Sequence, residues 1–115
     1  MSPTASNDLL PFRMVEHANS TSLILTTFDQ GADVFEAYGY DAGGYAWQGV
    51  AQTLIQLRAP HLASQVKFDS ESSMFTAYGA APAALVELAH LMREAMTTRA
   101  VLENALSQVT PEQMD

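Results

Sequence analysis

The sequence predicts an α+β domain of two layers, in which an antiparallel sheet of about four strands, built from two hairpins, is covered by three helices. Two pairs of short β-branched or aromatic runs are each joined by a polar turn, which is typical of hairpins. Three longer segments carry apolar residues at helical spacing. The 115 residues, 48% of them hydrophobic, suffice for one core. We expect this domain over residues 9–109, between a flexible leader (residues 1–8) and a flexible tail (residues 110–115).

The first hairpin is predicted between residues 9 and 28. Residues 9–17 alternate in side-chain character, and Pro11 falls near the start of that strand, where a missing N–H is tolerated. Residues 18–21 are small or polar and indicate a turn. Residues 22–28 are apolar and β-branched, so they are expected to pair back as the second strand.

Residues 29–47 are the most unusual stretch of the chain. They hold four carboxylates, five aromatic rings and four glycines, and no Lys or Arg lies between Arg13 and Arg58. The rings can bury apolar area, and the carboxylates accept charge-assisted hydrogen bonds from basic groups. The stretch either packs its rings and solvates its acids, or presents both to a basic partner. We predict a shaped loop that leads into a helix starting near Gly44 or Tyr45.

The first helix follows this loop. Its apolar positions are spaced for one helical side: Trp47, Val50, Ala51 and Leu54, continued by Ile55 and Leu57. Its other side carries a polar stripe of Gln48, Gln52 and Gln56. The helix is expected to end at Ala59, because a residue that precedes proline avoids helical angles. Pro60 then opens a short turn through Gln65.

The second half of the chain predicts a hairpin and two helices. Residues 66–68 and 74–78 are expected to pair across a polar turn, with Gly79 breaking the second strand. Pro82 suits the first turn of a long helix. Thr97 or Thr98 is expected to cap a last helix that runs to about residue 108.

The charge of the chain restricts its partners. Its formal net charge is −8, with five basic and 13 acidic residues. Nucleic acids and anionic membranes attract clustered Lys and Arg, so the composition argues against both. An acidic protein associates fastest with a basic partner. There is no cysteine, no apolar run long enough for a membrane span and no signal-peptide pattern, which favours the cytosol.

The sequence shows no catalytic, cofactor or metal-binding pattern. The three histidines fall in three different predicted elements, and no nucleophile elbow or phosphate-binding loop is present. Glu87-x-x-His90-x-x-x-Glu94 resembles half of a di-iron motif, but a second copy is missing. We interpret it as a solvated helix face with local Glu–His pairing. The acids of residues 29–41 match no calcium loop.

Two runs of residues resemble the immunity protein 51 family of bacterial polymorphic toxin systems. The first contains Phe28-Asp29, Phe35-Glu36, Gly39-Tyr40 and Gly44-Tyr45-x-Trp47, and the second is Phe68-Asp69-x-Glu71-x-x-Met74-Phe75-x-Ala77-Tyr78. The resemblance spans roughly residues 12 to 106. It implies a non-enzymatic antidote in the cytosol of the producing bacterium, which binds a cognate toxin domain and occludes or distorts its active site.

The expected partner is therefore a toxin domain, which the acidity of this chain predicts to be basic. The residues expected to bind it are Asp33, Glu36, Tyr38, Tyr40, Asp41, Tyr45, Gln48 and Gln52. Two alternatives stay open at this point. One is a small ligand-binding or scaffold domain in which Trp47, Tyr40 and Tyr45 line a pocket, although the position of Trp47 favours the core. The other is an enzyme that uses an acid with His90.

Overall fold

Four strands and four α-helices follow one another along residues 11–109, the part of the chain that the computed structural model describes. In order they are β1 (Arg13–Glu16), β2 (Thr21–Leu25), α1 (Ala32–Ala37), α2 (Gly44–Arg58), a 3-10 helix (Pro60–Ser64), β3 (Lys67–Phe68), β4 (Phe75–Gly79), α3 (Pro82–Thr97) and α4 (Arg99–Gln108). The predicted α+β class is confirmed. The expected leader and tail, and the first two residues of the predicted first strand, lie outside the described residues.

The sheet is antiparallel throughout, in the order β1-β2-β4-β3. The two predicted hairpins are present, and the pairing of β2 with β4 joins them at the centre. Leu23 lies opposite Ala77 and Leu25 opposite Phe75, and all four side chains are fully buried. Because side chains alternate along a strand, these residues form the inner face of the sheet.

The helices form the other side of the core. α2 packs on β4, and α3 packs on both β2 and β4. α4 packs mainly on α2 and α3, and also contacts α1, so the third predicted helix covers helices more than strands. The largest fully buried side chain is Trp47, whose ring meets Phe35 edge-on with centroids 5.2 Å apart.

Two strand ends differ from the expectation. β2 stops at Leu25 because its partner β4 begins at Phe75, which leaves residues 26–28 without a strand to pair with. Gly79 does not break β4 but is its last residue, opposite Thr21. A Cβ at Gly79 would collide with the carbonyl oxygen of Gln65, so glycine is needed there for a close approach of the backbone.

The helix ends are largely as predicted. α2 begins at Gly44, and Pro82 occupies the first turn of α3. Thr98 occupies the N-cap position of α4, but its side chain makes no capping hydrogen bond. The Thr97 hydroxyl instead donates to the carbonyl oxygen of Arg93 at 2.9 Å, at the end of α3.

Candidate functional site

The acidic aromatic stretch is not the simple loop that its composition indicates, because α1 lies within it. Gly31, with φ 81°, precedes this helix, and Gly39, with φ 84°, follows it, and both angles favour glycine. α1 buries Val34 and Phe35 against the core. The short helix was missed because six residues are too few to show a clear helical period.

The aromatic rings of this stretch divide into two groups. Phe35 and Trp47 are fully buried, whereas Tyr38 and Tyr45 are 40% and 38% exposed. Tyr40 is partly buried and packs on the core. The pocket proposed for Trp47, Tyr40 and Tyr45 is therefore wrong for Trp47, which has no accessible surface. The two exposed tyrosines are available to a partner.

The acids of the stretch also differ from one another. Asp33 accepts a hydrogen bond from Arg99 on α4 at 2.9 Å, and this bond lowers the pKa of the Asp33 carboxyl below its usual value. Glu36 and Asp41 are exposed and make no ion pair within residues 11–109. Asp33 therefore has an internal counter-charge, whereas the negative charges of Glu36 and Asp41 are available to a partner.

The glutamine stripe borders a groove. Gln48 and Gln52 are half-buried and Gln56 is exposed, so this side of α2 reaches the surface as predicted. Gln52 and Gln56 line a groove together with residues of the 3-10 helix and β3. By contrast Leu57, expected on the buried side of α2, is 44% exposed.

The turn between β3 and β4 reaches the start of α2. The Gly44 N–H donates to the carbonyl oxygen of Ser72 at 3.0 Å. A Cβ on Gly43 would lie 2.8 Å from that same oxygen, so the glycine pair permits the contact. This contact brings Glu71, which is exposed, next to the start of α2, and Asp69, also exposed, precedes it by two residues. Sequence reasoning missed these two acids, although the Gly-Gly pair is itself a signal of close backbone approach.

The metal-like fragment on α3 is occupied by ion pairs to other elements. His61 Nε2 lies 3.0 Å from both carboxylate oxygens of Glu87, and Arg58 donates to Glu94 at 2.7 Å. The predicted pairing with His90 is therefore wrong, because the neighbouring 3-10 helix and the end of α2 supply closer partners. Residues 11–109 contain no cluster of His, Cys, Asp or Glu that would hold a metal ion.

No helix within residues 11–109 is long and apolar enough to cross a bilayer. Acidic residues outnumber basic ones by 13 to 5 in the sequence, which gives a formal net charge of −8.

Comparison with protein families gives a match over nearly the whole chain. The family model described as Immunity protein 51 matches residues 12–111, which include every strand and helix described above. Searches of curated proteins and of solved structures found no match. The family match confirms the resemblance found in the two sequence runs.

Proposed function

Since this chain belongs to the immunity protein 51 family, we propose that it binds a cognate toxin domain and neutralises it by direct protein–protein contact. The observation that carries the proposal is the family match over nearly the whole chain. In this proposal the protein acts without catalysis, in the cytosol of a bacterium that makes the toxin for competition with other bacteria. Binding covers or distorts the toxin's active site.

The surface supports a basic toxin as the partner. Glu36 and Asp41 are exposed and form no ion pair within residues 11–109, and the exposed rings of Tyr38 and Tyr45 lie in the same segment. Carboxylates attract a basic surface over long distances, and tyrosine adds contact area at low entropic cost. Gln48 and Gln52 extend this surface along α2 without charge, as in the centre of many interfaces.

Co-expression tests the proposed function. We expect the cognate toxin to be encoded immediately upstream of this gene. Its toxin domain should stop growth when it is expressed alone in a sensitive bacterium, and this protein should restore growth. The two proteins should also co-purify. Restored growth without any complex between the purified proteins would contradict neutralisation by contact, and failure to restore growth would contradict the immunity function toward that toxin.

The acids of the α1–α2 segment should control how fast the toxin associates. We expect the Glu36→Gln/Asp41→Asn variant to bind several-fold more slowly at low salt, and by less at high salt, because electrostatic steering is screened. Stopped-flow measurements with a catalytically inactive toxin domain provide the rates. Asp33→Asn is the control and should change them less, because it removes one negative charge, beside Arg99, where the double variant removes two. Association that the double variant leaves unaltered at both salt concentrations would remove this segment from the interface.

A further inference from the structure

A groove of about 350 Å³ lies between the second half of α2 and β3. Its lining residues are Gln52, Ile55, Gln56, Ala63, Val66 and Phe68. Ile55 and Val66 are buried and form an apolar floor, and Phe68 is half-buried beside them. The two glutamines give one side of the groove an uncharged polar rim.

The chain segment that lines the groove also contacts the start of α2. Gly44 and the three glutamines of the stripe share one side of this helix, because their spacing is four residues. The chain from Val66 to Ser72 contacts that side near both ends, through the groove lining and through the hydrogen bond from Gly44. Twelve residues of helix span about 18 Å, so these two contacts lie near opposite ends of α2.

The β3–β4 turn is held in place by its own hydrogen bonds. Glu71 and Met74 exchange backbone hydrogen bonds of 2.8 and 3.1 Å, and the Asp69 N–H donates to the carbonyl oxygen of Thr76 at 3.0 Å. The Thr76 N–H donates to the hydroxyl of Ser70 at 3.1 Å. A partner that binds here meets an ordered surface, which reduces the entropic cost of association.

Asp69 and Glu71, which follow Phe68 of the groove lining, form no ion pair within residues 11–109. Within residues 11–109 the ion pairs link Arg58, His61 and Arg99 to acids on the helices. Lys67, the nearest cation in sequence, lines a separate cleft with Ser20 and Tyr78. A partner that binds beside Asp69 and Glu71 is therefore expected to carry positive charge.

Resting on the proposed function, we propose that this groove is the docking site of the toxin and receives one of its apolar side chains, flanked by Lys or Arg. The apolar side chain of the toxin packs against Ile55, Val66 and Phe68 and is thereby removed from water. The Gln52 and Gln56 amides bond to polar groups of the incoming segment, and its cations reach Asp69 and Glu71. A pocket of this kind, apolar below and polar at the rim, is typical of the residues that contribute most to affinity.

Lysine at the rim tests the proposal. We expect Gln52→Lys/Gln56→Lys to weaken binding to the purified inactive toxin domain by about 100-fold or more, because two cations would face a basic partner and compete with it for Asp69 and Glu71. Isothermal titration calorimetry gives the dissociation constants. Gln108→Lys on α4 makes the same chemical change at an exposed position outside the groove, and should bind like wild type.

A second variant keeps the test independent of folding. Asp69→Asn/Glu71→Gln preserves side-chain size, and it should slow toxin association at low salt while far-UV circular dichroism and the melting curve stay unchanged. If wild type binds and protects, but both double variants bind within about threefold of it, the groove proposal is overturned and the immunity function stands. If wild type itself fails to bind the toxin, the proposed function fails first.

Discussion

Replacing Trp47 with alanine should lower the free energy of unfolding by about 3–5 kcal/mol, the range found when a large aromatic side chain is removed from a core. Trp47 has no accessible surface and packs edge-on against Phe35. The cavity would open between α1, α2 and α4, because Trp47 and Leu102 both lie beside Gly31. Urea unfolding followed by far-UV circular dichroism measures the change, since the variant has no other tryptophan to report by fluorescence.

Trp47→Phe is the matched control. It keeps a ring against Phe35 and removes the indole N–H, which is buried without a hydrogen-bond partner among the described residues. A buried unpaired donor costs about 1–3 kcal/mol, so its removal offsets part of the lost packing. The phenylalanine variant should therefore be clearly more stable than the alanine variant. A loss below about 1 kcal/mol for Trp47→Ala would contradict the core position of this side chain.

Replacing Gly44 with alanine should destabilise the protein by about 3 kcal/mol or more, at the upper end of the range for overpacking. Alanine in a helix is ordinarily favoured over glycine by about 1 kcal/mol. Here its Cβ would collide with the backbone carbonyl oxygens of Glu71 and Met74, which cannot rotate away as a side chain can. Because the steric cost exceeds the helix preference, Gly44→Ala destabilises the protein instead of stabilising it.

Gly39→Ala separates steric collision from backbone strain. A Cβ at Gly39 would meet no atom within 4 Å, but φ is 84°, which costs an alanine about 1–2 kcal/mol. Urea unfolding followed by Trp47 fluorescence applies to both variants. We expect a larger loss for Gly44→Ala, accompanied by weaker toxin binding, because the β3–β4 turn would be displaced from α2. Equal losses would show that the contact between Gly44 and the turn is not tight.

Local patterns in the sequence predicted most of the fold. The spacing of Trp47, Val50 and Leu54 predicted α2, and Pro82 marked the start of α3. These features depend on neighbours within one or two turns of the chain, which is the range over which periodicity and capping act. α1 escaped prediction because Val34 and Phe35 alone show no period, and the packing of Phe35 against Trp47 is a tertiary contact.

Part of the predicted surface could also be identified from the sequence. The acids, the exposed tyrosines and the glutamine stripe were recognised because their composition is unusual for one segment. The sequence did not show which of these acids form ion pairs. Asp33 pairs with Arg99, 66 residues away, whereas Glu36 forms no ion pair within residues 11–109. Such pairing depends on how α1 and α4 pack together, which a local sequence pattern does not predict.

By itself, then, the sequence determined the α+β class, the family and the acidic character of the protein, because each is carried by composition or by residues close together in the chain. The tertiary structure decided the site's shape. Glu71 lies beside the start of α2 only because the Gly44 backbone meets that of Ser72, 28 residues later. The groove under Gln52 and Gln56 likewise exists only where β3 lies against α2. Contacts between distant segments are set by packing of the whole core, which a local sequence pattern does not encode.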